Sequence, residues 1–253
     1  MLLFAQAFWL PKSGNSEEEY EDAFWPRNLH LYKQRSDFRV GVADGATESS
    51  FSALWAKLLV RSYVDGQLLP QGFELSLKKL QHRWSSAISR RPLPWYAEDK
   101  VRAGAAAAFI GLHLQDENSS DEGGHWESIA LGDCCLVQLR AEEIIERFPL
   151  AHASAFSNNP FLLSSNASAC EGWPKHLKTK EGRWVPEDSF YLMSDAVAAW
   201  FMHEDESGRT PWQLLRDLGT SDGPVFTDFV EELRRTHEMR NDDVTIVRVY
   251  IES

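Results

Sequence analysis

Five aspartates in this 253-residue chain occur in settings where they could do chemistry together. They are Asp22 in Glu21-Asp22-Ala23, Asp44 in Ala43-Asp44-Gly45, Asp133 in Leu131-Gly132-Asp133, Asp195 in Met193-Ser194-Asp195 and Asp242 in Asn241-Asp242-Asp243. Four share one local form, a carboxylate at the start or end of an apolar run. Such a group is held by a rigid element while staying open to solvent or a metal. Singly, each is ordinary turn chemistry, because Asp side chains bond their own backbone in tight turns. Together, hard oxygen donors with no matching Cys or His set suit Mg²⁺ or Mn²⁺ rather than zinc. Two such ions activate water and neutralise a phosphate during in-line displacement. Gly45, beside Asp44, is expected to let the backbone turn and expose its carbonyl.

The elements that must position these groups follow from periodicity. Residues 2 to 10 form a first strand bounded by Pro11. Strands at about 28 to 33 and 38 to 44 flank Ser36-Asp37 as a hairpin, the second delivering Asp44. Phe51, Leu54, Trp55, Leu58 and Leu59 trace one helical face, with Gly66 as the stop. Phe73, Leu77, Leu80, Trp84 and Ile88 trace a second, ended by Pro92 and Pro94. Both helices belong to one layer.

Gly104 to Leu114 has no polar face; four alanines favour helix, but the turn from Asn118 to Gly124 favours a hairpin strand, which is the reading adopted. Strands follow at about 126 to 132, 135 to 140 and 143 to 148, and residues 149 to 183 form an irregular, flap-like segment. The strand Phe190–Met193 ends at Ser194-Asp195. The next helix buries Val197, Trp200 and Phe201, and further helices span about 211 to 218 and 224 to 237, the last facing Phe226, Phe229, Val230 and Leu233 inward. A strand at 244 to 251 closes the chain. Strands with helices inserted in pairs predict one α+β layered domain over residues 1–253.

Composition excludes several classes. With 43% hydrophobic residues and ten tryptophans there is ample core material. No apolar run approaches the roughly 20 residues that span a bilayer, and Met1-Leu2-Leu3-Phe4 lacks a basic signal region. The expectation is a cytoplasmic monomer with no membrane partner, in which the sequons at Asn118 and Asn166 are chance matches. A net charge of -12 argues against binding nucleic acid. Three cysteines, with Cys134 and Cys135 adjacent, make neither a disulfide framework nor a zinc set.

The order of the acidic motifs, with Gly104-Ala105-Ala106-Ala107 between the second and the third and Asp242-Asp243-Val244-Thr245-Ile246-Val247 at the end, resembles the metal-dependent Ser/Thr protein phosphatases of type 2C, in a bacterial-type variant. The match runs from about residue 10 to 250. The resemblance implies a four-layer α-β-β-α sandwich, two antiparallel sheets flanked by helix pairs. It implies that Asp44 bridges two Mg²⁺ or Mn²⁺ ions with the Gly45 carbonyl as a further ligand. Asp195 and Asp242 complete the centre, Asp22 reaches it through water, and Asp133 holds a third ion with Asp195. A metal-bound water would then attack a phosphorylated protein, with no covalent phosphoenzyme.

This sequence departs from the family at several points. Ser194-Asp195 is followed by Ala196, and Asp243 stands where the family has Asn. Ala46 replaces a histidine that some members carry as a candidate general acid, and Glu17 falls where a phosphate-binding arginine is usual. Lys12 is the nearest upstream cation and the candidate phosphate anchor, against the plainer reading of a solvated lysine. Thr47 and Glu48 line the site mouth or cap the helix, for which Ser49 or Ser50 is the better residue. Cys134 is a packing residue, His203 a surface histidine, and Trp173 and Trp184 contact a partner or pin their loop. Two other functions stay open: a phosphatase-fold binding module without activity, and a phosphohydrolase of small phosphoesters.

Overall fold

The computed structural model describes residues 1–29, 33–34, 36–47, 51–90, 98–116, 123–219 and 224–252. Its first sheet is built on β1 (Leu2–Leu10) and β12 (Val244–Glu252), paired antiparallel along their whole lengths from Leu2↔Glu252 to Leu10↔Val244. In β12, Val247, Val249 and Ile251 point to one apolar cluster, and Val244 and Ile246 to another. A strand that is apolar on both faces has to lie between two covering layers, and this requirement sets the architecture.

Between β1 and β12 in sequence come β2 (Ala23–Trp25), β3 (Lys33–Gln34), β4 (Asp37–Gly45), α1 (Ser52–Val64), α2 (Phe73–Ser89), α3 (Glu98–Ala103), β5 (Ala106–Asp116), β6 (Gly124–Leu131), β7 (Cys135–Arg140), β8 (Glu143–Phe148), β9 (Leu163–Ser164), β10 (Lys178–Trp184), β11 (Ser189–Met193), α4 (Asp195–Glu206), α5 (Pro211–Arg216) and α6 (Pro224–Arg235). One sheet runs β3-β1-β12-β11-β7-β8 and the other β10-β6-β5-β4-β2, with β9 on the end of β5. Among the described residues every strand pairing is antiparallel. The inner faces meet in a core that includes Val40, Val42, Ile110, Leu112, Leu136, Leu192 and Val247. Helices α1 and α2 cover the second sheet with Trp55, Leu59, Leu77 and Trp84, and α4, α5 and α6 cover the first with Phe201, Trp212 and Phe226. This is the four-layer α+β arrangement expected from the motif order.

Three local expectations change. The hairpin of 28 to 33 with 38 to 44 is not found among the described residues, which leave out 30 to 32: Lys33–Gln34 pairs with Leu2–Leu3 in the first sheet, whereas β4 pairs with β2 and β5 in the second. The apolar Ala23-Phe24-Trp25 takes the edge of β4, leaving a polar dipeptide for a sheet rim, where exposed edges are tolerated. The irregular segment ends early, because residues 178–184 form β10 against β6. Within it, Trp184 is buried and donates from its indole to the Gln115 carbonyl at 3.0 Å, and Trp173 packs on Phe73 with ring centroids 4.7 Å apart. Both tryptophans therefore pin the segment down. The first residue before α1 is Phe51, in left-handed backbone at φ 62 with no side-chain cap. Glu48, Ser49, Ser50, Pro92, Pro94 and Asn118 lie outside the described residues.

Candidate metal centre

All five aspartates are delivered to one end of the sandwich, where strands of both sheets begin or stop. Asp22 precedes β2 and Asp44 is the next-to-last residue of β4. Asp133 lies where the chain crosses from β6 to β7, Asp195 opens α4 just after β11, and Asp242 sits two residues before β12. They lie close enough that the charges of Asp22, Asp195, Asp133 and Asp242 all bear on Asp44. Burial pushes the Asp44 carboxyl well above its usual range, and these neighbours add to the shift. Asp22 is fully buried and rises for the same reason, with Asp243 the largest charge acting on it. Asp133 is pushed up to about 7, by burial first and Asp195 second.

The backbone around Asp44 differs from the turn expected there. Strand β4 continues through Gly45, which pairs with Ala107. A side chain at Gly45 would place its Cβ 2.6 Å from the Glu21 carbonyl and 3.0 Å from the Ser52 Cβ. Glycine is required there for close approach of the Asp22 segment, not for a bend.

A hydroxyl relay fixes Asp22. The Thr245 hydroxyl donates to Asp22 Oδ2 at 2.6 Å, and the Tyr20 hydroxyl donates in turn to Thr245. The Thr245 amide donates to the Ser194 hydroxyl at 2.9 Å, and the Ser194 amide to the Thr245 carbonyl at 3.0 Å, so β11 and β12 are locked together just before Asp195. Asp243 forms a second clasp. Its two oxygens accept the Lys12 amide at 2.8 Å and the Glu21 amide at 2.6 Å. A carboxylate offers two acceptor oxygens where an amide side chain offers one, so Asn at this position could not hold both amides in this way.

Two oxygens at the centre, Asp22 Oδ1 and Asp195 Oδ1, are buried with no hydrogen-bond partner among the described residues. The contrast is Asp188 at the far end of the first sheet, also fully buried. Its Oδ1 accepts Arg140 Nε at 2.9 Å, and its Oδ2 accepts Arg140 Nη2 at 2.8 Å, Gln138 Nε2 at 2.8 Å and the Val185 amide at 3.0 Å. A buried carboxylate kept for structure is satisfied in this way. The orphan oxygens among clustered like charges, with oxygen donors only, fit hard divalent ions. Among the described residues no three acidic, His or Cys groups close to ion-holding geometry. Arg240 holds one edge of the cluster, donating from Nη2 to Asp195 Oδ2 and lying 3.1 Å from Asp242 Oδ2.

Lys12 follows β1 at the rim. Its Nζ donates to Thr47 Oγ1 at 3.2 Å and lies 3.9 Å from Glu21, and it lines a cavity of about 630 Å³ with Glu21, Thr47, Ser52 and Lys57. Glu17 is exposed in a short 3-10 turn. Cys134 is buried with its thiol pushed up by burial, as a packing residue should be. His203 is exposed, on the rim of a smaller cavity of about 250 Å³ that also contains Asp133, Asp195 and Arg240. Sequence reasoning missed Tyr20, Thr245 and Arg240, and noted Asp243 without its role as a clasp. Thr245, polar within Val244-Thr245-Ile246, was the one visible signal.

The raised carboxyls give a signed prediction. An unfolded Asp titrates near 3.9, so between pH 4 and 7 the folded state binds protons that the unfolded chain has released. Stability then falls as pH rises. In EDTA, the melting temperature is expected to drop from pH 5 to pH 8, and Mn²⁺ at pH 8 to restore it. A melting temperature that rises with pH in EDTA would contradict this.

No protein-family model matches the chain, and neither does any curated protein sequence. Solved structures do match. The Mycobacterium tuberculosis serine/threonine phosphatase PstP superposes with a TM-score of 0.62 at 12% identity, covering 100% of both chains. The PstP catalytic domain with two manganese ions gives 0.61 at 12% identity, covering 100% of this chain and 99% of that one. RsbX in complex with magnesium gives 0.54 at 14% identity, covering 99% and 96%. At such identity the likeness establishes architecture alone. This chain has the two-sheet fold of the bacterial type 2C serine/threonine phosphatases.

Proposed function

We propose that this protein is a Mg²⁺- or Mn²⁺-dependent phosphatase that releases phosphate from phosphoserine and phosphothreonine in a protein substrate. One observation carries the reading. Five carboxylates converge at the strand ends, two of them with buried oxygens that have no hydrogen-bond partner among the described residues. The shared fold with phosphatases solved with manganese and magnesium supports it.

Asp44, Asp195 and Asp242 would hold two ions, with the Gly45 carbonyl as a further ligand. Asp22 would join through water, and Asp133 with Asp195 would serve a third. When bound, such ions activate water and neutralise phosphate charge. The chain's own residues do the positioning. Tyr20 and Thr245 orient Asp22, and Asp243 pins the Lys12 and Glu21 backbones beside it. Ala46 has no proton to give, so the leaving oxygen takes its proton from water or from another group. Lys12, on the rim, presents a point charge to the substrate phosphate.

With Mn²⁺ the protein is expected to release phosphate from phosphoserine and phosphothreonine peptides and from p-nitrophenyl phosphate, and to release none in EDTA. Hydrolysis of the nitrophenyl ester alone would redirect the reading to small phosphoesters. No hydrolysis of any of them would leave a phosphatase-fold binding module, the reading that the Arg240 contacts favour. Lys12→Ala should raise KM about two- to fivefold with kcat little changed, as for a lost rim charge. An unchanged KM removes Lys12 from the site.

A further inference from the structure

We propose that Arg240 is a built-in competitor for the divalent ions: its guanidinium holds the Asp195–Asp242 edge of the carboxylate cluster, and an ion enters that edge only by displacing it. This rests on the metal centre proposed above and adds a residue that the motif order did not mark.

The geometry is specific. One guanidinium nitrogen, Nη2, meets both Asp195 Oδ2 and Asp242 Oδ2. Asp195 Oδ1 is buried with no hydrogen-bond partner among the described residues, so the guanidinium leaves half of that carboxylate unpaired. The surrounding loop is anchored independently of this contact. Met239 is buried, and its amide and that of Glu238 both donate to the Leu233 carbonyl, at 3.1 and 2.9 Å. Arg234 Nη2 donates to the Asp242 carbonyl at 2.6 Å. The Arg240 side chain is half exposed and free to swing, whereas the backbone that carries it and Asp242 is held.

An ion that binds through Asp195 Oδ2 and Asp242 Oδ2 competes with the guanidinium for the lone pairs that now accept from Nη2. At close range their repulsion is several times thermal energy, even with solvent screening. Ion entry therefore releases Arg240. The released side chain remains tethered at the cavity lined by Asp133, Ser157, Asn158 and His203. There a planar fork suits a phosphate better than an ammonium does. Arg240 would thus supply, from the strand end of Asp242, the phosphate-binding arginine whose usual place is taken by Glu17.

The test is Mn²⁺ titration by calorimetry on the full chain, comparing wild type with Arg240→Gln and Arg240→Lys. Arg240→Gln is expected to bind Mn²⁺ about tenfold tighter or more, and Arg240→Lys to fall between it and wild type. Unchanged or weaker Mn²⁺ binding in Arg240→Gln, in a protein whose circular dichroism matches wild type, overturns the proposal. Absence of Mn²⁺ binding in all three proteins overturns it together with the metal centre. Mn²⁺ binding without hydrolysis of any phosphoester sinks the phosphatase reading alone, since ion competition is read directly. At saturating Mn²⁺, inorganic phosphate should inhibit p-nitrophenyl phosphate hydrolysis about fivefold more weakly in Arg240→Gln. Equal inhibition removes the phosphate-binding half of the role.

Discussion

Asp44→Asn is expected to lower Mn²⁺-dependent hydrolysis of p-nitrophenyl phosphate by about 10³-fold, while leaving a protein that is folded and slightly more stable in EDTA. The two effects have one origin. Asp44 is buried among four other carboxylates whose charges all oppose its ionisation. Those charges attract divalent ions and are mutually repulsive when no cation intervenes. Asparagine keeps the shape and removes one negative charge, relieving repulsion of order 1 kcal/mol, or ~2–4 °C in melting temperature at pH 8. It also removes the carboxylate proposed to bridge the ions, so the stabilisation by Mn²⁺ expected of wild type should largely vanish. A variant that melts lower than wild type in EDTA would show that Asp44 makes a structural contact absent from this account. Wild-type activity in the variant would sink the metal-centre assignment.

Thr245→Val should be the most destabilising single change at this end of the molecule, despite nearly equal volume. Thr245 is fully buried and links two other buried groups, accepting from Tyr20 and donating to Asp22. Valine fills the space but leaves a buried phenol without an acceptor and a buried carboxyl without its donor. Each orphan costs ~1–3 kcal/mol, and together they lower the melting temperature by about 5–15 °C. Tyr20→Phe removes the phenol with its need, so it should cost only ~1 kcal/mol. The comparison separates hydrogen bonding from packing. If both variants melt alike, Thr245 acts through packing and the relay has no energetic weight. Because Asp22 loses its orientation in Thr245→Val, Mn²⁺ affinity should fall there and hold in Tyr20→Phe.

The acidic motifs were legible because strand ends are where a short polar residue interrupts an apolar run. Ala43-Asp44-Gly45 and Ser194-Asp195 needed no tertiary information to be noticed. The same holds for α1 and α2, whose apolar faces recur at helical spacing over several turns, and for β12, apolar on both faces. The partner of β4 was not legible. Two residues of strand, Lys33–Gln34, carry too little pattern to say which sheet they join, and that choice depends on Ala23–Trp25 having filled the edge already. The purpose of Gly45 was likewise hidden, since only the folded chain brings the Glu21 carbonyl against it.

The sequence by itself determined the set of carboxylates and the alternation of strands and helices. Those are properties of single residues and of local periodicity. The tertiary structure decided which groups stand beside those carboxylates: Thr245 and Tyr20 on Asp22, Asp243 on two amides, and Arg240 between Asp195 and Asp242. Tyr20 and Thr245 are 225 residues apart, and Arg240 reaches Asp195 across 45. Contacts at such separation are set by how the two sheets stack. No periodicity of 2 or 3.6 residues encodes them.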